Sequence, residues 1–208
     1  MLGGMTVEQN KGRPATGGAV LRQRVTEAIT EAALAELAEA GYARMSMEAV
    51  ARRAGVGKAA LYRRWSSKQA MVTELIRSRV ADAIPPAPAT GALHTDLREL
   101  LATFRSQLAN PLLARIAAGL LAEASHDDAL AEGIYTAVTA PRRAAARAIL
   151  QGAIDRGELP PGLDLELGTD LLIAPLAFRV LVLQGRSDDE YLETLTNAIE
   201  AALRAAIR

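Results

Sequence analysis

The stretch from Ser46 to Lys68, SMEAVARRAGVGKAALYRRWSSK, constrains the fold of this chain more than any other. Ser46 is a good N-cap for a helix through Met47, Val50 and Ala51 to Ala54. Gly55 follows, at a point where a chain leaving a helix often takes positive φ. Val56 is an apolar plug in the turn. A second short helix then carries Lys58, Ala59, Ala60, Leu61, Tyr62, Arg63 and Arg64. Helix, three-residue turn with glycine, helix is the pattern of a helix-turn-helix.

The second helix has the chemistry of a DNA-reading surface. Leu61 faces inward, while Lys58, Tyr62 and Arg63 face out. Ala59 and Ala60 are small enough for close backbone approach to a groove floor, where Ala also contacts a thymine methyl. Residues 44–68 hold seven basic side chains (Arg44, Arg52, Arg53, Lys58, Arg63, Arg64, Lys68) and one acid, Glu48. Phosphate attraction supplies most non-specific DNA affinity, so this imbalance is the expected footprint of a nucleic-acid surface. A solvated basic face is the plain alternative for the charge alone, and the turn pattern argues against it. Gly55, Gly57 and Ala60 also satisfy a loose G-x-G-x-x-A fingerprint. That motif must follow a strand, and the preceding segment has helical periodicity.

From Gly41 to Val72, GYARMSMEAVARRAGVGKAALYRRWSSKQAMV resembles the DNA-binding signature of the TetR/AcrR-type bacterial regulators. The likeness extends back through Ile29, Ala32, Ala33 and Leu37. It implies a dimeric, all-α repressor with an N-terminal helix-turn-helix and a C-terminal ligand-binding and dimerisation domain. It also implies that Tyr62 and Lys68 contact backbone phosphates. One departure is Gly57, where the family usually has the Ser or Thr that opens the recognition helix. Arg63 and Lys58 are candidates for base or groove contacts, with Tyr62, Arg64 and Lys68 for phosphate. Arg44, Ser46, Ala59 and Ala60 complete the candidate DNA surface.

Charge is unevenly placed along the 208 residues, which balance 24 Lys and Arg against 24 Asp and Glu. Residues 1–80 hold thirteen basic and seven acidic side chains, and the remainder is acidic by the same margin. A nucleic-acid surface confined to the N-terminal part fits this asymmetry. Only 3% of residues are aromatic, so the core is built from Ala, Leu, Ile and Val, as in closely packed helices. There are no cysteines, and the two histidines, His94 and His126, lack metal-binding spacing. No metal or cofactor is expected. The most apolar run, Leu171 to Leu183, is interrupted by Arg179 and is shorter than the roughly 20 residues a bilayer requires. No signal peptide is visible, and a cytoplasmic protein is expected.

In chain order, residues 1–19 read as a disordered tail, starting at Met1 or Met5. Lys11 and Arg13 could form a basic arm on DNA, although a solubilising tail is the better reading. Residues 20–84 form the expected DNA-binding domain. Its first helix runs from about Arg22 to Ala40, with Val25, Ile29, Ala33 and Leu37 inward and Gly41 as its stop. Ser67 caps a later helix through Met71, Val72, Leu75, Ile76 and Val80, and Trp65 plugs the small core. PPAPATG, residues 85–91, is the boundary. Residues 92–208 read as helix: about Thr95–Ala109, a helix opened by Pro111, and about Asp128–Arg156 with a kink or a restart at Pro141. Asp164 then caps Leu165–Gln184, where Pro175 bends the helix or leaves a carbonyl free, and the last helix spans about Asp188–Ile207.

A helix apolar nearly all round, such as LLIAPLAFRVLVL, must be buried on most sides. The last two helices are therefore expected to form a homodimer interface. The C-terminal helices are also expected to enclose an apolar pocket for a small-molecule effector. Its candidate residues are Phe104, Leu108, Leu112, Leu120, Tyr135, Leu172, Leu176, Phe178 and Arg179. Arg179 needs a partner amid such sequence, and an internal or interfacial pair is favoured over an anionic ligand. The expected function is a ligand-released repressor of a palindromic operator. The alternative is an architectural DNA-binding protein without a ligand. An enzyme is not expected, since no nucleophilic or paired-carboxylate arrangement stands out.

Overall fold

The chain folds as a succession of helices, seen in a computed structural model that describes residues 17–81 and 86–205. Met1, Met5, Lys11, Arg13, Pro85 and Ile207, and the side chain of Val80, lie outside the described residues. The elements are α1 (Gly17–Arg44), α2 (Met47–Ala54), α3 (Lys58–Arg64), α4 (Lys68–Ala81), α5 (Leu93–Leu108) and α6 (Pro111–Ala124). They continue as α7 (Asp128–Ile134), α8 (Ala140–Asp155), α9 (Leu165–Ala177) and α10 (Asp189–Ala205). A π turn, Tyr135–Thr139, joins α7 to α8, and a second, Phe178–Val182, continues α9.

Helix α1 opens at Gly17, ahead of the expected Arg22, so residues 17–19 belong to it rather than to an irregular tail. Gly41 stops its regular ladder with φ 76° and ψ 166°, a conformation costly for residues with a Cβ. Met45 N–H then bonds back to the Gly41 carbonyl at 3.0 Å, closing one further turn. That turn aims Ser46 at the start of α2.

Two hydrophobic cores follow. The first collects Ile29, Ala33 and Leu37 of α1, Val50 of α2, Leu61 of α3, Trp65, and Met71, Val72 and Leu75 of α4. It does not end at the linker, because Ile116 and Leu120 of α6 and Leu130 and Ile134 around α7 complete it. The second core packs α5, α8, α9 and α10 through Leu97, Leu101, Leu150, Leu172, Leu176, Leu192 and Leu203. A fully enclosed Leu of this kind stabilises by about 2 kcal/mol, so each core is a sizeable cooperative unit. The buried Asp96 anchors the linker, accepting from Thr90 N–H and hydroxyl at 2.7 Å each and from Arg156 at 3.2 Å.

Pro141 and Pro175 lie beside the two irregular turns of the C-terminal helices. The sequence predicts a kink or a restart at Pro141, and α8 does restart there, opening at Ala140 directly after a π turn in which Ala140 N–H bonds to the Tyr135 carbonyl five residues back. This wider turn absorbs the missing proline N–H without breaking the rod. Pro175 lies inside α9, which continues past it, and the second π turn begins three residues later, with Leu183 N–H on the Phe178 carbonyl at 3.1 Å. The expectation that this apolar helix is enclosed on most sides fails within a single chain. Leu172 and Leu176 are buried, while Leu167, Phe178, Val182 and Leu183 are 48–62% exposed. One chain covers only one side of it.

Candidate nucleic-acid interface and the cavity behind it

The helix-turn-helix is fixed by local chemistry. Ser46 Oγ accepts from Ala49 N–H at 3.1 Å, capping α2. Gly55 ends α2 in the left-handed region at φ 66°, and Val56 N–H returns to the Ala51 carbonyl at 3.0 Å. Helix α3 then starts at Gly57 with no side-chain cap. Leu61 is fully buried and holds α3 down, and Trp65 is only 7% exposed, so it is a core plug. Ala60 is half-buried, and Lys58, Ala59, Tyr62, Arg63 and Arg64 project from the same short helix as exposed residues.

The cations of this surface are not equivalent. Lys58 pairs with Glu48 and lies over the Tyr62 ring at 5.6 Å. The hydrogen bond from Lys58 holds the Glu48 carboxyl below its ordinary range, and Glu48 in turn raises Lys58. Arg53 is held by Glu36 at 3.0 Å and by Glu39. The local excess of positive charge counted along residues 44–68 is therefore smaller in space, because α1 brings two acids to it. Arg64 donates to Thr26 at 2.6 Å and stacks over Trp65 at 4.8 Å. Arg44 Nε donates to the Ala40 carbonyl at 3.0 Å. Arg63 is exposed with no partner among the described residues.

Lys68 begins α4, and Ser67 Oγ caps that helix by accepting from Ala70 N–H at 3.0 Å. The Lys68 ammonium donates to the Tyr42 carbonyl at 2.8 Å and sits 4.2 Å from the centre of the Tyr42 ring. It is thus a latch between α4 and the last turn of α1. Tyr42 is buried, and its hydroxyl donates to Asp127 at 3.3 Å. Burial, with the Asp127 charge second, pushes the phenol up to about 12.

Behind this surface lies a cavity of about 530 Å³. Leu34 and Leu37 of α1 and Leu75 and Ile76 of α4 form one wall. Phe104, Leu108, Leu113, Ile116, Leu120, Ile173 and Leu181 form much of the rest. Its size falls in the range of about 300–1,000 Å³ usual for small-molecule sites. Of the residues expected from sequence, Phe104, Leu108 and Leu120 line it. Leu112, Tyr135 and Phe178 instead stand exposed on the surface, and Leu172 and Leu176 are enclosed in the second core. Arg179 is also elsewhere: it donates to the Arg186 carbonyl at 3.0 Å and lies over the Tyr191 ring at 4.9 Å. Among the described residues its partners are a backbone carbonyl and a ring face, and no internal carboxylate pairs with it.

Known proteins place this architecture. The family profile described as "Bacterial regulatory proteins, tetR family" matches residues 29–75, and "Tetracyclin repressor-like, C-terminal domain" matches residues 87–199. The uncharacterised HTH-type transcriptional regulator YdeS of Bacillus subtilis is 31% identical, over 91% of each chain. The chain belongs to the TetR family of bacterial transcriptional regulators. A DNA-binding transcriptional repressor, TetR of Mycobacteroides abscessus, is 31% identical over 83% of this chain and 90% of its own. A TetR family transcription regulator of known crystal structure superposes with a TM-score of 0.64, at 29% identity, over 86% of this chain and 97% of that one. No helix of the described residues is long and apolar enough to cross a membrane.

Within this TetR-family fold, sequence reading missed Arg142. It stands in the cavity wall beside Gln107 and Phe104. In sequence it is half of an Arg142-Arg143 pair directly after Pro141, which resembles an ordinary solvated face. Arg143 does face outward, to Glu166 and Asp170. The one available signal was position, since Arg142 directly follows the proline that sets off the π turn.

Proposed function

We propose that the chain is a ligand-responsive repressor that binds a palindromic operator as a homodimer and is released by a small molecule in the cavity. The observation that carries this reading is the shared wall. Leu34, Leu37, Leu75 and Ile76, on the two helices that flank the helix-turn-helix, also line the cavity. A ligand there touches the frame of the DNA reader directly. A dimer on its operator holds two recognition helices one DNA turn apart, about 34–36 Å. A ligand that binds better to a state with another separation weakens operator binding by its differential affinity for the two states. Arg63 and Lys58 read bases or the groove, while Tyr62, Arg64 and Lys68 hold phosphates, with Ala59 and Ala60 allowing close approach. Repression is supported by the relative from Mycobacteroides abscessus, itself named a repressor.

Fluorescence anisotropy of the protein against the DNA immediately upstream of its own gene, with scrambled DNA as control, tests this. Preference of about a hundredfold or more is expected at near-physiological salt, in line with specific regulators. Equal weak binding to that DNA, to scrambled DNA and to sites selected from a random pool would favour an architectural protein instead.

A further inference from the structure

Arg142 is the one charged side chain of the cavity lining among the described residues. Among the described residues the lining holds four neutral polar side chains (Ser106, Gln107, Asn110, Thr139), no Asp or Glu, and a single charge, Arg142. The guanidinium lies 4.6 Å from the centre of the Phe104 ring, and Nη2 donates to Gln107 Oε1 at 2.7 Å. Its Nε is enclosed without an acceptor. Burial, with no carboxylate nearby to offset it, pushes Arg142 down to about 10, so it remains charged at neutral pH. A desolvated cation in an apolar wall is unfavourable unless an anion meets it. Arg143, one residue on, has two carboxylates, so acids are not scarce in this region; they are absent from this wall.

Resting on the effector reading above, we propose that the cavity takes an apolar monocarboxylic acid, with its carboxylate on Arg142 and its hydrocarbon body along Leu37, Leu75, Ile76, Leu113 and Ile116. The planar guanidinium matches a planar carboxylate in a way that a point charge does not. One cation supports one negative charge, and a dianion would bring a second, unpaired one into the same apolar space. The arrangement also gives the ligand a lever. Its head sits at the start of α8 and its body reaches α1 and α4, so one molecule bridges the C-terminal helices and the DNA-reading frame.

Isothermal titration calorimetry of the full chain with octanoate, decanoate and dodecanoate, each beside its primary alcohol, tests the ligand class. At least one acid is expected to bind tenfold or more tighter than its alcohol. Arg142→Met is expected to erase that preference while alcohol binding persists, which also reports that the variant is folded. If circular dichroism finds Arg142→Met unfolded, Arg142→Lys serves, and the acid preference is expected to fall at least threefold. Equal binding of acid and alcohol throughout, or a preference unmoved by the usable variant, would overturn the proposal. Operator release is read separately by anisotropy. Acids that bind through Arg142 without releasing operator would sustain the ligand class and remove the effector reading. Alcohols that release operator as well as the acids do would remove the ligand class and sustain the effector reading.

Discussion

A Cβ placed on Gly133 would stand 2.4 Å from the Thr73 hydroxyl oxygen and 3.3 Å from the Thr73 Cβ. Helices α7 and α4 therefore meet there with only the Thr73 side chain between them. Thr73 Oγ1 is enclosed without a partner, a cost on the order of 1–3 kcal/mol. Gly133→Ala gains about 1 kcal/mol of helix propensity but overpacks the contact by about 1–3 kcal/mol against a stiff β-branched neighbour. We expect a net loss of about 1 kcal/mol and weaker operator binding, because α4 supports the DNA reader. Adding Thr73→Ala removes both the clash and the orphaned hydroxyl. Urea unfolding should find the double variant at least as stable as the wild type; a double variant no better than Gly133→Ala would show that the contact has room to relax.

Gly57 opens α3 with φ −69° and ψ 139°, and a Cβ there meets open space. Any residue fits this backbone without strain. Gly57→Ser supplies the missing N-cap hydroxyl and restricts the unfolded chain, for a gain of about 0.5–1 kcal/mol. On the proposed DNA surface the same hydroxyl would meet a phosphate, so operator affinity should rise about three- to tenfold, equivalent to one modest hydrogen bond. Unchanged affinity alongside raised stability would place the start of α3 away from the DNA backbone.

Tyr62 and Lys68 are both proposed to hold phosphate, and Lys68 also ties two helices together. Lys68 latches α4 to the Tyr42 carbonyl, whereas the 42% exposed Tyr62 makes only surface contacts, under Lys58 and with Glu48. Tyr62→Phe should lower operator affinity about threefold or more with stability unchanged. Lys68→Ala should lower both, with about 1 kcal/mol lost in thermal or urea unfolding. It should also reduce the salt slope of DNA binding by about one. Loss of stability with intact affinity would make Lys68 a latch alone.

The parts of this molecule that were legible in the sequence are those fixed within a few residues. Ser46, Gly55 and Leu61 announce a cap, a turn and an inward face by local spacing, and each takes that role. The cavity was legible only in outline, because its wall depends on where helices turn. Tyr135 and Phe178 each begin a π turn, and each faces solvent rather than the pocket. One residue added to a turn rotates every later residue of the helix by about 100°, and nothing local in the periodicity marks it beforehand. Arg142 and Arg179 exchanged expectations for a related reason. Their partners, Gln107 and Arg186, are set by the meeting of elements and not by neighbours in the chain.

The buried Tyr42 phenol, raised to about 12, makes stability pH-dependent at the alkaline end. The neutral phenol is favoured in the folded state. Below about pH 10 both folded and unfolded chains keep the proton, and no stability is lost. Between about pH 10 and 12 the unfolded chain ionises first, and folding loses about 2–3 kcal/mol. Wild-type protein should therefore lose about 2 kcal/mol more than Tyr42→Phe between pH 9 and about pH 11.5 in urea unfolding. Absorbance near 295 nm should record one tyrosine ionising after the others; four ionising together would contradict the raised value.

Leu167, Phe178 and Val182 lie three turns and then one further turn apart, on one side of α9 and its π extension, and all are exposed. An uncovered apolar stripe of this kind invites a second copy, and a twofold interface would lay it against itself. Phe178→Glu would then place two like charges face to face in an apolar seam. Each buried, unpaired carboxylate is unfavourable by several kcal/mol, so dimer dissociation should rise about a hundredfold or more. Sedimentation velocity should find monomer at micromolar concentration, with circular dichroism unchanged because Phe178 contributes little to the fold of its own chain. Operator affinity should fall with dimerisation, since a single recognition helix engages only one half-site. A variant that remains dimeric would move the interface off this stripe, while a monomer that still binds operator at full strength would separate DNA reading from dimerisation.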